Sequence, residues 1–311
     1  MANERSARRV GRLLVTGASG FVGSHVRAAV AEGVFGEAEF MATPPGWDIR
    51  DGDATRDMVA ELRPDSVLHL AAQSFVPRSF ENPRETFEIN VLGTLNLLQA
   101  LSAQAFSGRM VYASSGDVYG RVPEEVMPVD EKLLPAPRSP YAASKIAAEQ
   151  LCLQWARTEN LEAIIARPFN HVGPGQDARF VLPALARQVI AIASGARPAV
   201  IEAGDIDTTR DFTDVRDVVA AYAAMFRHGT PGQTYLVASG RERRVRELLE
   251  EMCVLAGVTP DIHQDPAKLR PAEQRRMVAN AALLTADTGW QPHIPLETTL
   301  TDILDTARKS L

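Results

Sequence analysis

Residues 16–23 read Thr16-Gly17-Ala18-Ser19-Gly20-Phe21-Val22-Gly23, three glycines spaced G-x-x-G-x-x-G between an apolar run at 10–16 and a helically periodic stretch at 22–32. That order is strand, tight turn, helix. The first glycine admits the turn, the second lets the backbone approach a pyrophosphate, and the third lets the helix pack on the sheet. The helix N-terminus adds unpaired N–H groups and the positive end of its dipole. A dinucleotide is therefore expected on Gly17, Ser19, Gly20, Phe21, Val22 and Gly23.

The pattern that follows is α/β, a doubly wound parallel sheet of the Rossmann kind. Strands are expected at 39–43, 66–71, 109–114 and 163–166. Helices are expected at 55–62, 86–105 and 141–158. Strands alternating with helices imply parallel pairing with helices on both faces. After Arg167 prolines and glycines punctuate shorter elements, with helices at 180–193, 215–227, 245–256 and 296–307. Residues 1–167 are expected to form the dinucleotide-binding domain. Residues 168–311 are expected to be mainly a smaller α/β substrate-binding lobe at the sheet's C-terminal edge, with a segment near 214–238 returning to the sheet.

Charge and composition narrow the partners. Lys plus Arg total 33 and Asp plus Glu 39, for a net charge of −6. A mildly acidic chain has no overall field for polyanions, so no nucleic acid is expected. No apolar run approaches the ~18–20 residues of a membrane span. The polar, basic stretch 1–12 lacks the apolar core of a secretory signal. Cys152 and Cys253 fit neither a disulfide framework nor metal spacing. A cytoplasmic protein without a metal is expected.

The ribose-binding acid expected ~20 residues beyond the glycines is missing, since the second strand ends at Ala42-Thr43-Pro44-Pro45. Asp48 and Asp51 follow too soon for another crossover and fit a loop along the adenine edge. The cofactor is NADPH or NADH.

Tyr141-Ala142-Ala143-Ser144-Lys145 puts a phenol and an ammonium at i and i+4 on one helical face. A free tyrosine titrates near 10. A nearby ammonium favours the phenolate, so the pair is expected to pass a proton near neutrality. Lys145 is also placed to hold the nicotinamide ribose. Ser114 and Ser115 end the preceding strand, where a hydroxyl can hold a substrate carbonyl against Tyr141.

The combination resembles the short-chain dehydrogenase/reductase superfamily, in its extended, nucleotide-sugar-modifying branch, over nearly the whole chain. Besides the glycine turn and the Ser115, Tyr141, Lys145 set, the matching residues are His69-Leu70-Ala71-Ala72-Gln73 and Asn90. Three further blocks match: the one from Arg167-Pro168-Phe169-Asn170 to Gln176, Arg210-Asp211-Phe212-Thr213-Asp214-Val215, and Arg270-Pro271-Ala272-Glu273. These three look most like a GDP-mannose-derived subgroup. The resemblance implies Asp48 and Ile49 near adenine, and Leu70, Ala71, Ala72, Gln73, Asn90, Pro168 and Phe169 around the cofactor. It implies Ser74, Asn170, Val181, Arg210, Arg270 and Glu273 around the sugar nucleotide. Arginine suits a diphosphate because its planar fork binds bidentately, and Arg187 in the 180–193 helix is a further candidate for base or diphosphate. His69 is expected to pack a strand and His171 to fix backbone. Arg275 and Arg276 are expected to be solvated charge.

Within the branch, sugar 4,6-dehydratases usually carry Thr, then Asp or Ser, then Glu, where this chain has Ser115, Gly116 and Asp117. Eliminating water needs a base at C5 and an acid for the leaving hydroxyl. Gly116 has no side chain and Asp117 is one methylene short, a misplacement that can cost ~10²-fold. A ketone reductase needs neither. The expectation is reduction at C4 of a GDP-linked 4-keto-6-deoxy-mannose, with a GDP-mannose 4,6-dehydratase or another nucleotide-sugar epimerase or dehydratase of the branch, and a catalytically silent dinucleotide sensor, as alternatives. The long helices carry Leu92, Leu95 and Leu98, and Ile146, Leu151 and Leu153. In the resembling family such helices form a four-helix interface, so a homodimer is expected.

Overall fold

A computed structural model describes residues 8–265 and 274–309. Strands and helices alternate through the first half: β1 (Arg12–Thr16), α1 (Phe21–Ala31), β2 (Glu39–Ala42), α2 (Gly52–Leu62), β3 (Ser66–His69), the helical pieces α3 (Val76–Glu81), α4 (Pro83–Phe87) and α5 (Gly93–Ala103), then β4 (Arg109–Ala113), α6 (Pro140–Thr158) and β5 (Glu162–Pro168). The second half contributes β6 (Asn170–Val172), α7 (Val181–Ala193), β7 (Val200–Ala203), β8 (Thr209–Asp214), α8 (Val215–His228), β9 (Thr234–Val237), β10 (Glu242–Arg244), α9 (Val245–Ala256), β11 (Asp261–Gln264), α10 (Ala282–Thr288) and α11 (Leu296–Arg308).

Six strands form a parallel sheet in the order β2-β1-β3-β4-β5-β9. Side chains alternate across it, as the two-residue period requires. Leu13 and Val15 join a core with Val26, Val219 and Tyr222 on the α1/α8 face. Leu14 joins Val59, Leu97, Leu101 and Cys152 on the α2/α5/α6 face. Burial on both faces explains the near-continuous apolar strands.

The chain leaves β1 for β2 on one side, then crosses to β3 on the other. The crevice beyond the strands' C-terminal ends at such a reversal is where α/β sheets bind ligands. Over it lie a three-stranded sheet, β10-β8-β6, and the β7–β11 pair. Helices α7, α9 and α11 pack a separate core there through Leu185, Val189, Leu248, Met252, Leu300 and Ile303.

One local feature departs from expectation. The helix expected over 86–105 is interrupted by a π-helical turn at Glu88–Leu92, a distortion that often marks functional sites. It turns Asn90 inward, 1% exposed. The Asn90 side chain accepts from Gln73 N at 2.8 Å and donates to Gln73 O at 3.1 Å and to Ser144 Oγ at 2.9 Å. The loop after β3 is thereby tied to α6. No strand forms between β2 and α2. Asp48 lies in the connecting loop and Asp51 caps α2, accepting from Ala54 N at 3.0 Å. No helix among the described residues is long and apolar enough to cross a membrane.

Candidate active site

A cleft of about 1670 Å³ runs across the switch point. At one end lie Gly17, Ser19, Gly20, Phe21, Val22 and Gly23. Gly17 has φ +74°, and a Cβ there would meet Ala71 N at 2.8 Å. A Cβ on Gly23 would meet Gly17 O at 2.5 Å. Gly20 caps α1 with no side-chain hydrogen bond over its first N–H groups. Asp48 and Ile49 line the same end, as do Thr43, Trp47 and Arg50. Asp48 binds Arg50 at 2.5 Å, which holds its carboxyl below the usual range.

Ser115, Tyr141 and Lys145 meet at the cleft's centre, flanked by Leu70, Ala71, Ala72, Ser74, Pro168 and Phe169. Ser139 caps α6, accepting from Ala142 N at 3.1 Å, and Pro140 occupies its first turn. A proline there sacrifices no helical bond. Lys145 Nζ donates to Ala113 O at 2.8 Å and lies 5.9 Å from the centroid of the Tyr141 ring. Burial lowers its pKa to about 8, against the Glu149 carboxylate one turn on, which raises it.

Tyr141 corrects an expectation. Its pKa is raised, not lowered. Burial is the largest cause and the Asp117 carboxylate adds to it, while a hydrogen bond with Ser115 opposes both. Burial dominates because Tyr141 is 8% exposed, and desolvation disfavours the phenolate.

Asn170, Val181 and Arg210 line the side of the cleft under the second lobe. Arg210 Nη1 donates to Thr209 O at 2.8 Å. Arg187 is exposed and off the cleft wall, because α7 presents Val181, Ala184, Leu185 and Gln188 there. This is the i, i+3, i+4, i+7 face, and residue 187 is not on it. Gln73 and Asn90 sit behind the wall, bonded to each other. Arg270 and Glu273 lie outside the described residues. His69 is buried between Thr16 Oγ1 and Thr94 Oγ1, at 2.6 and 3.0 Å, and burial lowers its pKa to about 3. His171 stacks on Phe21 and bonds Phe169 O at 3.2 Å. Arg275 and Arg276 are not simply solvated, since Arg275 pairs with Asp205 and Arg276 with Glu242 and Glu124. Among the described residues no group of His, Cys, Asp or Glu could hold a metal ion.

Sequence reading missed a buried polar cluster beneath this centre. Glu149, 0% exposed, binds Arg167 through two bonds of 2.9 and 2.6 Å and accepts from Ser114 Oγ. Arg167 Nη1 also donates to Tyr119 Oη at 2.8 Å. The available signal was an acid directly after Ala147-Ala148, one turn beyond Lys145, where an apolar side chain would ordinarily pack.

A dinucleotide cradle opening onto a phenol–ammonium pair is the working centre of an oxidoreductase of the short-chain dehydrogenase/reductase kind, here in its extended form. The chain belongs to the GDP-mannose 4,6 dehydratase family, whose model matches residues 45–303. It is 49% identical over 293 residues to the GDP-6-deoxy-D-mannose reductase of Pseudomonas aeruginosa, an alignment covering 94% of this chain and 96% of that one. It is 30% identical to a dTDP-glucose 4,6-dehydratase of Mycolicibacterium smegmatis, covering 94% and 92%. Among solved structures, RMD from Pseudomonas aeruginosa complexed with NADPH superposes with a TM-score of 0.92 at 47% identity, over 97% of this chain and 100% of that chain. The UDP-glucose 4-epimerase of Thermus thermophilus with NAD superposes at 0.83 and 32% identity, over 96% and 100%.

Proposed function

We propose that this chain reduces the C4 ketone of GDP-4-keto-6-deoxy-D-mannose to GDP-6-deoxy-D-mannose (GDP-D-rhamnose), using NADPH or NADH. One observation carries the choice of reduction over dehydration. A Cβ on Gly116 would press on the Phe169 ring at 3.0 Å, so the Asp or Ser that a dehydratase carries there would need that ring to shift. The relative at 49% identity bears the corresponding reductase name.

The glycine turn fits a dinucleotide. Its close approaches leave no room for side chains, and the first N–H groups of α1 are open to a diphosphate. When bound, the dihydronicotinamide supplies the hydride. Ser115 orients the ketone oxygen, and Tyr141, kept protonated by its burial, donates the proton to it. The Lys145 ammonium stabilises the phenolate left behind. Arg210 supports the view that the second lobe holds the sugar nucleotide, with residues 1–167 holding the cofactor and 168–311 mainly the substrate.

The test is incubation with GDP-4-keto-6-deoxy-D-mannose and each reduced cofactor, with NMR of the product sugar. Cofactor oxidation matched by a 6-deoxyhexose is expected. A keto product formed from GDP-mannose without reductant would replace this reading with a dehydratase.

We further infer a cytoplasmic homodimer. The buried free thiols of Cys152 and Cys253 support a reducing compartment. Phe87 and Leu92, 39% and 52% exposed, support helix-to-helix association, together with the half-buried Leu95, Ile146, Leu151 and Leu153. Leu98 instead belongs to the chain's own core. Sedimentation at micromolar concentration should give the dimer mass, and a monomer alone would exclude it.

A further inference from the structure

Four segments that shape the reaction centre converge on one carboxylate that touches none of the reacting atoms. Glu149 lies on α6, one turn beyond Lys145 and two beyond Tyr141. One of its oxygens accepts from Ser114, the neighbour of Ser115, and both accept from Arg167, which immediately precedes Pro168-Phe169. Arg167 in turn holds Tyr119, at the end of the short helical turn carrying Gly116 and Asp117. A cluster that served only packing would be replaceable by apolar side chains, often at no cost. This one is anchored at every segment bearing a residue assigned to the chemistry.

We propose that Glu149 is a positioning residue of the ketone reduction, its buried charge supporting the Lys145 ammonium while its two oxygens lock Ser115, Tyr141 and Phe169 in mutual register. The groups facing Lys145 and Glu149 are Tyr141 and Cys152 on α6, His69 on β3, Tyr112 and Ser114 on or beside β4, and Arg167 on β5 with Tyr119 beyond it. Among the described groups Glu149 is the carboxylate that bears on Lys145, while Glu131 bears on Arg167 and Tyr119, so neutralising Glu149 removes the charge that favours the ammonium. The ammonium then gives up its proton more readily.

The inference rests on the reductase reading, and its test uses Glu149→Gln and Glu149→Asp in the full chain. With keto sugar and NADPH, Glu149→Gln should lower kcat on the order of 10²-fold with KM little changed. The alkaline limb of the rate profile should move to lower pH by about one unit. Glu149→Asp, which keeps charge but loses reach, should lower kcat while leaving that limb near the wild-type position. The pH dependence of NADPH affinity, read by fluorescence, should move in Glu149→Gln as the rate profile does.

A folded Glu149→Gln with wild-type kcat and limb overturns the proposal. If that variant fails to fold, wild-type kcat in Glu149→Asp overturns it equally. Wild-type protein that binds NADPH but turns over no keto sugar refutes the reductase reading instead, and the affinity profile then still decides whether Glu149 supports the ammonium.

Discussion

Replacing Tyr141 with phenylalanine lowers kcat by about 10²–10⁴-fold, the contribution of a positioned general acid, while NADPH affinity stays within a few-fold of wild type. In the proposed reaction the phenol protonates the ketone oxygen. Burial and Asp117 hold it protonated across neutrality, and Ser115 fixes its direction. The ring itself remains in the variant, so the cleft keeps its shape. The glycine turn and the Lys145 bond to Ala113 are untouched. Steady-state rates with the keto sugar, paired with fluorescence titration of NADPH, separate the two effects. A kcat within tenfold of wild type would remove Tyr141 from the role of proton donor.

The largest stability effect is expected at Arg167. Substitution by leucine strips Glu149 of its salt-bridge partner, leaving only the more distant Lys145 ammonium, while its carboxylate stays fully buried. Breaking such a pair from one side costs about 3–5 kcal/mol, and the melting temperature should fall on the order of 10 °C for a chain of this size. The loss comes from the stranded charge rather than the lost contact. Adding Glu149→Leu should therefore recover much of it, because two apolar side chains leave no ion to desolvate. Denaturant unfolding of the single and double variants makes the comparison. A single variant within 1 kcal/mol of wild type would mean that Glu149 finds another partner or takes up a proton at little cost. The double variant, stable but without its carboxylate, should remain a poor catalyst.

Local signals made much of the site readable. The glycine spacing and the Tyr141–Lys145 pair lie within single turns of chain, where the steric and helical periods act directly. The π-turn at Glu88–Leu92 escaped because Phe87, Leu92, Leu95 and Leu98 continue a plausible helical pattern through it. What interrupts the helix is the set of bonds from Asn90 to Gln73 and Ser144, which come from two other segments. Arg187 lies off the cleft wall for a related reason. Its helix is present, but which face meets the cleft depends on how α7 packs against α9 and α11.

The amino-acid order alone determined the parallel sheet, the glycine turn and the placing of Tyr141 and Lys145 on one helical face, since each follows from backbone sterics and periodicity over a few residues. Only the tertiary structure decided the charge states and the supporting cluster. Desolvation raises Tyr141 and lowers Lys145, and the contact between Glu149 and Arg167 spans 18 residues of chain. Burial and long-range pairing are properties of the packed interior, where the surroundings of each group are supplied by segments remote from it in the chain.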